Sequence, residues 1–257
     1  MKKRKIILIL FCFFILIISC NKRTSDNKTI KNKPQISQAA QNIKDEGADD
    51  ISFDKVIYLT FDDGPSKVTS KILDILKEKN IKATFFIVGK EIPGNEDILK
   101  KIYSEGHSIG LHSYSHNYRK IYSKDEVFIE EMIKTQQNVK DIVGISPNII
   151  RFPGGSKNNL DAQLLDKLHS LNFKIYDWNV SGEDGTNPSA SPYTIYKSAT
   201  KFKNPPKKII LLLHSGKVNK NTINALPDII KYYKDKGYTF KSIDNTTPEY
   251  IFKIKKK

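Results

Sequence analysis

Two adjacent carboxylates, Asp62 and Asp63, stand where the apolar run Val56-Ile57-Tyr58-Leu59 drives through Thr60-Phe61 into the turn residues Gly64-Pro65. Acids at the end of a buried strand are costly unless a metal, a cation or a proton compensates them. His112-Ser113-Tyr114-Ser115-His116 spaces two imidazoles by four residues. Over one helical turn both would point the same way and could share a metal. With Asp63 they make a two-histidine, one-carboxylate set that leaves coordination positions open, the mark of a catalytic metal. The remaining residue types suit hydrolysis. A metal polarises a carbonyl and acidifies water, and a nearby carboxylate such as Asp62 can take the water's proton. Arg151 would keep that carboxylate ionised, and His214 could protonate a poor leaving amine. Gly154 and Gly155 allow a backbone N–H to approach a developing oxyanion.

Each motif has a bland alternative. An Asp pair in a loop can simply cap the next helix, and a lone His-x-x-x-His pair is a weak metal signal. Their placement argues against that. From residue 51 onward, apolar β-prone runs alternate with segments of helical period: strands near 56–59, 83–88, 108–111, 148–150, 173–178, 208–213 and 238–243, helices near 67–79, 96–105, 125–143, 160–171, 192–202 and 222–236. For the long helix at 125–143, Ser123 and Glu126 suggest a capping box. Continuous apolar strands separated by helices predict a parallel sheet wrapped by helices. The Asp pair, the His pair, Arg151, Asp177-Trp178 and His214 each follow a strand. In a β/α barrel that gathers them on one rim, the usual face for chemistry.

Thr-Phe-Asp-Asp-Gly-Pro, His-Ser-Tyr-Ser-His, Arg-Phe-Pro-Gly-Gly and Leu-Leu-Leu-His, in this order and at these separations, resemble the motifs of the polysaccharide deacetylases of carbohydrate esterase family 4. The resemblance runs from about residue 56 to 243. It implies a distorted (β/α)7 barrel that removes N- or O-acetyl groups from sugar polymers with a divalent metal, zinc first, with cobalt, nickel or manganese as alternatives. Carried over, Asp62 is the general base, Asp63, His112 and His116 are the metal ligands, Arg151 positions the base, and His214 is the general acid. Gly154 supplies the oxyanion donor, and Leu211 and Leu213 line the pocket for the acetyl methyl. Trp178 reads as a wall of the pocket or part of the core rather than as a sugar-stacking platform. Two departures stand out. Many members have Tyr where Gly154 stands, so a backbone donor is kept while an aromatic wall is lost. The fourth motif is commonly Asp-x-x-Asp-Trp after a Trp; after Trp178, Ser181 and Gly185 take the places of its first Asp and of its closing Trp, leaving Asp184 to tune His214.

The N-terminus adds a destination. Met1-Lys2-Lys3-Arg4-Lys5 followed by an apolar run over 6–18 reads as a secretory signal, too short for a spanning helix. Ile17-Ile18-Ser19-Cys20 resembles a bacterial lipobox, which implies cleavage after residue 19 and a lipid on Cys20. Cys12 would leave with the signal, so the exported chain has no disulfide to form. Residues 20–50, rich in Asn, Lys, Gln, Ser and Asp, read as a disordered tether; 51–245 is the catalytic domain and 246–257 a basic tail. Removing Lys2, Lys3, Arg4 and Lys5 from the 43 basic residues leaves 39 against 28 acids, a surplus of about +11. Export and the scatter of the lysines argue against nucleic acid as partner. An anionic cell-wall polymer fits better, with peptidoglycan N-acetylglucosamine as first substrate and chitin, poly-N-acetylglucosamine or acetylxylan as alternatives. The protein is expected to be a monomer on the outer face of the membrane. The rival classes are a non-catalytic glycan-binding lipoprotein and a lipoprotein with a structural metal.

Overall fold

The computed structural model describes residues 55–254; the signal segment 1–19, Cys20 and the tether 20–50 lie outside the described residues. Strand β1 (Val56–Gly64) is the centre of the sheet. Strand β7 (Lys208–His214) pairs with it from Val56 to Asp62. On its other side lie β2 (Thr84–Ile87), against its second half, and β8 (Thr239–Lys241), against its first three residues. Beyond β2 come β3 (Ser108–Leu111), β4 (Ile149–Ile150) and β5 (Lys174–Ile175), and beyond β7 comes β6 (Val180–Ser181). Every pairing is parallel. Helices α1 (Lys67–Glu78), α2 (Glu96–Ser104), α3 (Tyr118–Ile121), α4 (Asp125–Val143), α5 (Ala162–Ser170), α6 (Pro192–Ala199) and α7 (Lys220–Asp235) fill the connections. This is the distorted (β/α)7 barrel expected from the sequence.

Strand parity decides which residues meet. Successive side chains on a strand point to opposite faces. Ile57, Leu59 and Phe61 of β1, with Ile209, Leu211 and Leu213 of β7, join the large core between sheet and helices. Tyr58 and Ile210 instead join Phe86, Ile149, Tyr176 and Ile243 in a small cluster inside the barrel. Thr60 and Asp62, and Leu212 and His214, share that inner parity. The helices are fastened by their apolar stripes: α1 buries Val68, Ile72, Leu73 and Leu76 and starts at a reciprocal capping box between Ser66 and Thr69.

Three expectations are corrected. Helix α4 has Lys124 at its N-cap with no side-chain cap, because Ser123 Oγ donates instead to the Lys120 carbonyl at 2.6 Å, closing the short α3, which sequence periodicity does not reveal. Of 173–178 only Lys174–Ile175 is a strand of the sheet; Tyr176 bridges to Tyr250. Residues 246–254, set apart as a tail, are docked on the domain. Glu249 accepts from the Ile175 N–H at 2.6 Å and pairs with His169 at 3.0 Å, and Phe252 N–H donates to Asp177 at 2.7 Å. Its apolar side chains join the docking: Ile251 and Ile254 pack on the large core, Tyr250 on the small cluster, and Phe252 meets Trp178 edge-on with centroids 5.1 Å apart.

Candidate active site

Inner parity carries Asp62 to the end of β1 facing the barrel axis, buried to 2% exposure. Asp63 should point the opposite way, but the β1–β2 register slips between Asp62 and Gly64 and Asp63 adopts a left-handed φ of 69°. The bulge turns both carboxylates toward one cavity. Arg151 continues the β3–β4 ladder, its N–H donating to the Leu111 carbonyl at 3.0 Å, and its side chain is wholly buried. The guanidinium donates to Asp62 Oδ1 at 2.9 Å, Thr60 Oγ1 at 2.8 Å and the Tyr176 carbonyl at 2.7 Å, and lies 4.1 Å from the Phe86 ring centroid. Burial pushes the Asp62 carboxyl above its ordinary range, against the pull of Arg151.

Asp63, His112 and His116 each present a ligand atom within 4.8 Å of the others. His112 Nε2 lies 3.6 Å and His116 Nε2 3.3 Å from Asp63 Oδ1, and that oxygen is buried without a hydrogen-bond donor. His112 Nδ1 contacts the Arg151 carbonyl at 2.9 Å. A carbonyl only accepts, so the proton sits on Nδ1 and the Nε2 lone pair faces the cluster. Burial, with His116 close by, holds the His112 pKa down at about 3, which keeps the ring neutral and fit to ligate. An orphaned buried carboxylate oxygen between two imidazoles fits a divalent cation.

The histidine pair does not ride on a helical turn. Ser113 and His116 have φ of 61° and 51°, and the loop is held from α4: Glu131 accepts from the Tyr114 N–H at 3.0 Å and the Ser115 N–H at 2.6 Å.

On the other flank, His214 is the register partner of Asp62 across β1 and β7. Its Nδ1 meets Asp184 Oδ1 at 2.9 Å, while Asp184 Oδ2 accepts from the His214 N–H at 2.9 Å and the Thr222 hydroxyl at 2.7 Å. Burial alone would lower the His214 pKa; the hydrogen bond and charge of Asp184, with Asp62 and Asp63, outweigh it and raise it to about 9. The imidazolium is therefore the resting form, with Nε2 left to donate.

Asp62, Asp63, His112, His116 and His214 line one cavity of about 330 Å³, together with Gly154, Trp178, Tyr118, Gly185 and Leu212. Gly154 sits at φ 75°, and among the described residues no acceptor takes its N–H. Its loop is fixed by Asp177, which accepts from both the N–H and hydroxyl of Ser156.

The polysaccharide deacetylase family matches over residues 51–175. A peptidoglycan-N-acetylglucosamine deacetylase of Bacillus cereus is 35% identical over 192 residues, 73% of this chain and 69% of that protein. The chain belongs to the polysaccharide deacetylase family. Two solved structures agree with this. The polysaccharide deacetylase Bc1974 from Bacillus cereus shares 33% identity at a TM-score of 0.71, over 77% of this chain and 96% of that one. The catalytic domain of a peptidoglycan N-acetylglucosamine deacetylase from Eubacterium rectale shares 30% at a TM-score of 0.73, over 79% and 94%.

In this deacetylase the residues expected to converge do so, with one correction. Leu211 and Leu213 have outer parity and are fully buried under the helices; Leu212 is the leucine that lines the cavity. The sequence reading misses three contributors. Glu131 is a carboxylate on the buried stripe of α4, among Phe128, Met132 and Thr135, and that misplaced charge is the signal that could have found it. Tyr118 carries no such mark, and the sequence places Asp177 on the rim without pairing it to Ser156, because only the fold brings those two together.

Proposed function

We propose that this deacetylase is a metal-dependent hydrolase removing N-acetyl groups from cell-envelope glycan, with N-acetylglucosamine of peptidoglycan as its substrate. The observation that carries the reading is the convergence of a buried carboxylate–arginine pair, a three-donor cation site and an aspartate-held imidazolium on one cavity. Relatives named for peptidoglycan-N-acetylglucosamine support the choice of substrate. Asp63, His112 and His116 would hold the cation, zinc first, which when bound polarises the acyl carbonyl and lowers the pKa of water. Asp62 accepts the proton of the attacking water, and Arg151 holds it in place with its charge balanced. The Gly154 N–H donates to the oxyanion as it forms. His214 gives its Nε2 proton to the departing amine, and Asp184 stabilises the charged ring before transfer. The lipobox around Cys20 supports a lipid tether that keeps the enzyme beside the wall polymer.

Acetate release from purified peptidoglycan, chitooligosaccharides and acetylxylan, with and without chelator, tests the proposal. Peptidoglycan should be the preferred substrate, activity should vanish with chelator and return with zinc. A non-catalytic binder releases no acetate from any of them; a structural metal leaves chelated protein unfolded rather than folded and inert. Mass spectrometry of the mature N-terminus tests Cys20, and an unmodified peptide starting elsewhere refutes the tether.

A further inference from the structure

Position 154 and the ring of Tyr118 compete for one volume. A Cβ built on Gly154 would lie 2.8 Å from Tyr118 Cε1 and 3.1 Å from its hydroxyl oxygen. The φ of 75° there already disfavours any residue but glycine. The glycine thus leaves room for a ring delivered from α3, two residues beyond His116. That ring is held on both sides. It meets His116 edge-on, with centroids 5.4 Å apart at 86°, and Tyr122 at 6.0 Å and 70°. Tyr122 in turn stacks on Phe128 and donates to the Pro153 carbonyl at 2.6 Å, tying the set to the core and to the Gly154 loop. Yet Tyr118 is 49% exposed, it faces the same cavity as Asp63 and His214, and its hydroxyl has no partner among the described residues. A large ring held in place by its neighbours, with its polar tip unused, matches a ligand having an apolar face and hydroxyls at its edge. A pyranose ring is such a ligand.

We propose that Tyr118 is a substrate-binding residue: its ring packs on the C–H face of the sugar carrying the scissile acetyl group, and its hydroxyl donates a hydrogen bond to an oxygen of that sugar. The aromatic wall absent at position 154 is supplied from a different element, and Gly154 and Tyr118 form a matched pair. The inference rests on the glycan deacetylase reading.

The test uses the full zinc-loaded enzyme and its Tyr118→Phe and Tyr118→Ala variants. For each, kcat and KM are measured on the preferred acetylated glycan, with calorimetric affinity for its deacetylated product and for zinc. Tyr118→Phe should raise KM and product Kd together by about three- to tenfold, the share of one hydrogen bond. Tyr118→Ala should raise both further, by about tenfold or more, because the packing face goes too. In both variants kcat and zinc affinity stay within about twofold of wild type. Unchanged KM and Kd overturn the proposal, and so does a fall in kcat that tracks weaker zinc binding, which would mean that Tyr118 acts only by buttressing His116. A wild-type enzyme that releases acetate from no glycan sinks the underlying reading together with this one; a wild type that does, beside variants that match it, sinks this one alone.

Discussion

Asp184→Asn separates the charge that keeps His214 protonated from the contacts that keep it in place. Asparagine retains the shape and one carbonyl oxygen for the bonds that Asp184 makes to His214 and Thr222. With Asp184 present, the His214 pKa stands at about 9, well above the 6.5 of an ordinary histidine, although burial works to lower it. Without that charge it should return to about 6.5 or below. A general acid works in its protonated form, so activity is lost as pH rises through this pKa. The wild-type alkaline limb of kcat/KM should fall near pH 9, and the variant's at least about two units lower. At pH 8 about nine-tenths of wild-type His214 is charged against about 3% in the variant, a loss of about thirtyfold. At pH 6 the same arithmetic leaves less than about a twofold difference. Stability should show the same linkage. A pKa raised on folding contributes fully below about pH 6.5 and fades as pH approaches 9. Thermal melts should therefore show the variant most destabilised near pH 6, where its activity is least affected. Initial rates of acetate release between pH 5.5 and 9.5 decide the matter. An unmoved alkaline limb, with activity reduced equally at every pH, would refute the electrostatic account and leave Asp184 as a mere anchor of its loop.

Asp62→Asn should lower acetate release by about two to four orders of magnitude, with zinc affinity held within a few-fold because the three donor residues are untouched; turnover within tenfold of wild type would remove Asp62 from the role of base. Gly185→Ala should reduce kcat by about ten- to a hundredfold with little change in melting temperature, since a Cβ at 185 overlaps the His214 ring; unchanged kcat would show that the loop yields freely. Truncation after Asn245 leaves buried Asp177 and the Ile175 N–H without their partners from 246–254, at about 1–3 kcal/mol for each buried group. The melting temperature should drop by several degrees, and a melt superimposable on the full chain would show that this segment is an appendage after all.

The convergence of the site was legible because its residue types are the ones a metal-assisted hydrolysis would demand. Asp62, Asp63, His112, His116, Arg151 and His214 each have few substitutes for their task, and each follows an apolar run that announces a strand. Parallel strands then deliver them to one rim whatever the exact helix boundaries. What stayed hidden was set by facing, not by type. Leu211, Leu212 and Leu213 are one residue apart in a uniformly apolar strand, so no polar neighbour fixes the register, and choosing the cavity-lining leucine needs the parity that His214 imposes from inside the barrel. The His112–His116 loop escaped for a related reason: a four-residue spacing suggests a helical turn, whereas Glu131 captures two of its N–H groups and supports left-handed backbone at Ser113 and His116.

Walls are less constrained than ligands, and this explains why Gly154 and Gly185 mislead when read alone. Each, compared with the family motif, lacks the aromatic side chain common at its position. At 154 the vacated volume is taken by Tyr118, and at 185 by the His214 imidazole. A ligand atom must sit within tenths of an ångström of a point, which ties it to one strand end and one residue type. A wall needs only to fill space against the substrate, so any element whose Cβ vector reaches that space can provide it. Position-by-position reading of a motif therefore recovers the polar groups that converge on this cavity and misassigns its walls, because only the former are bound to their place in the sequence.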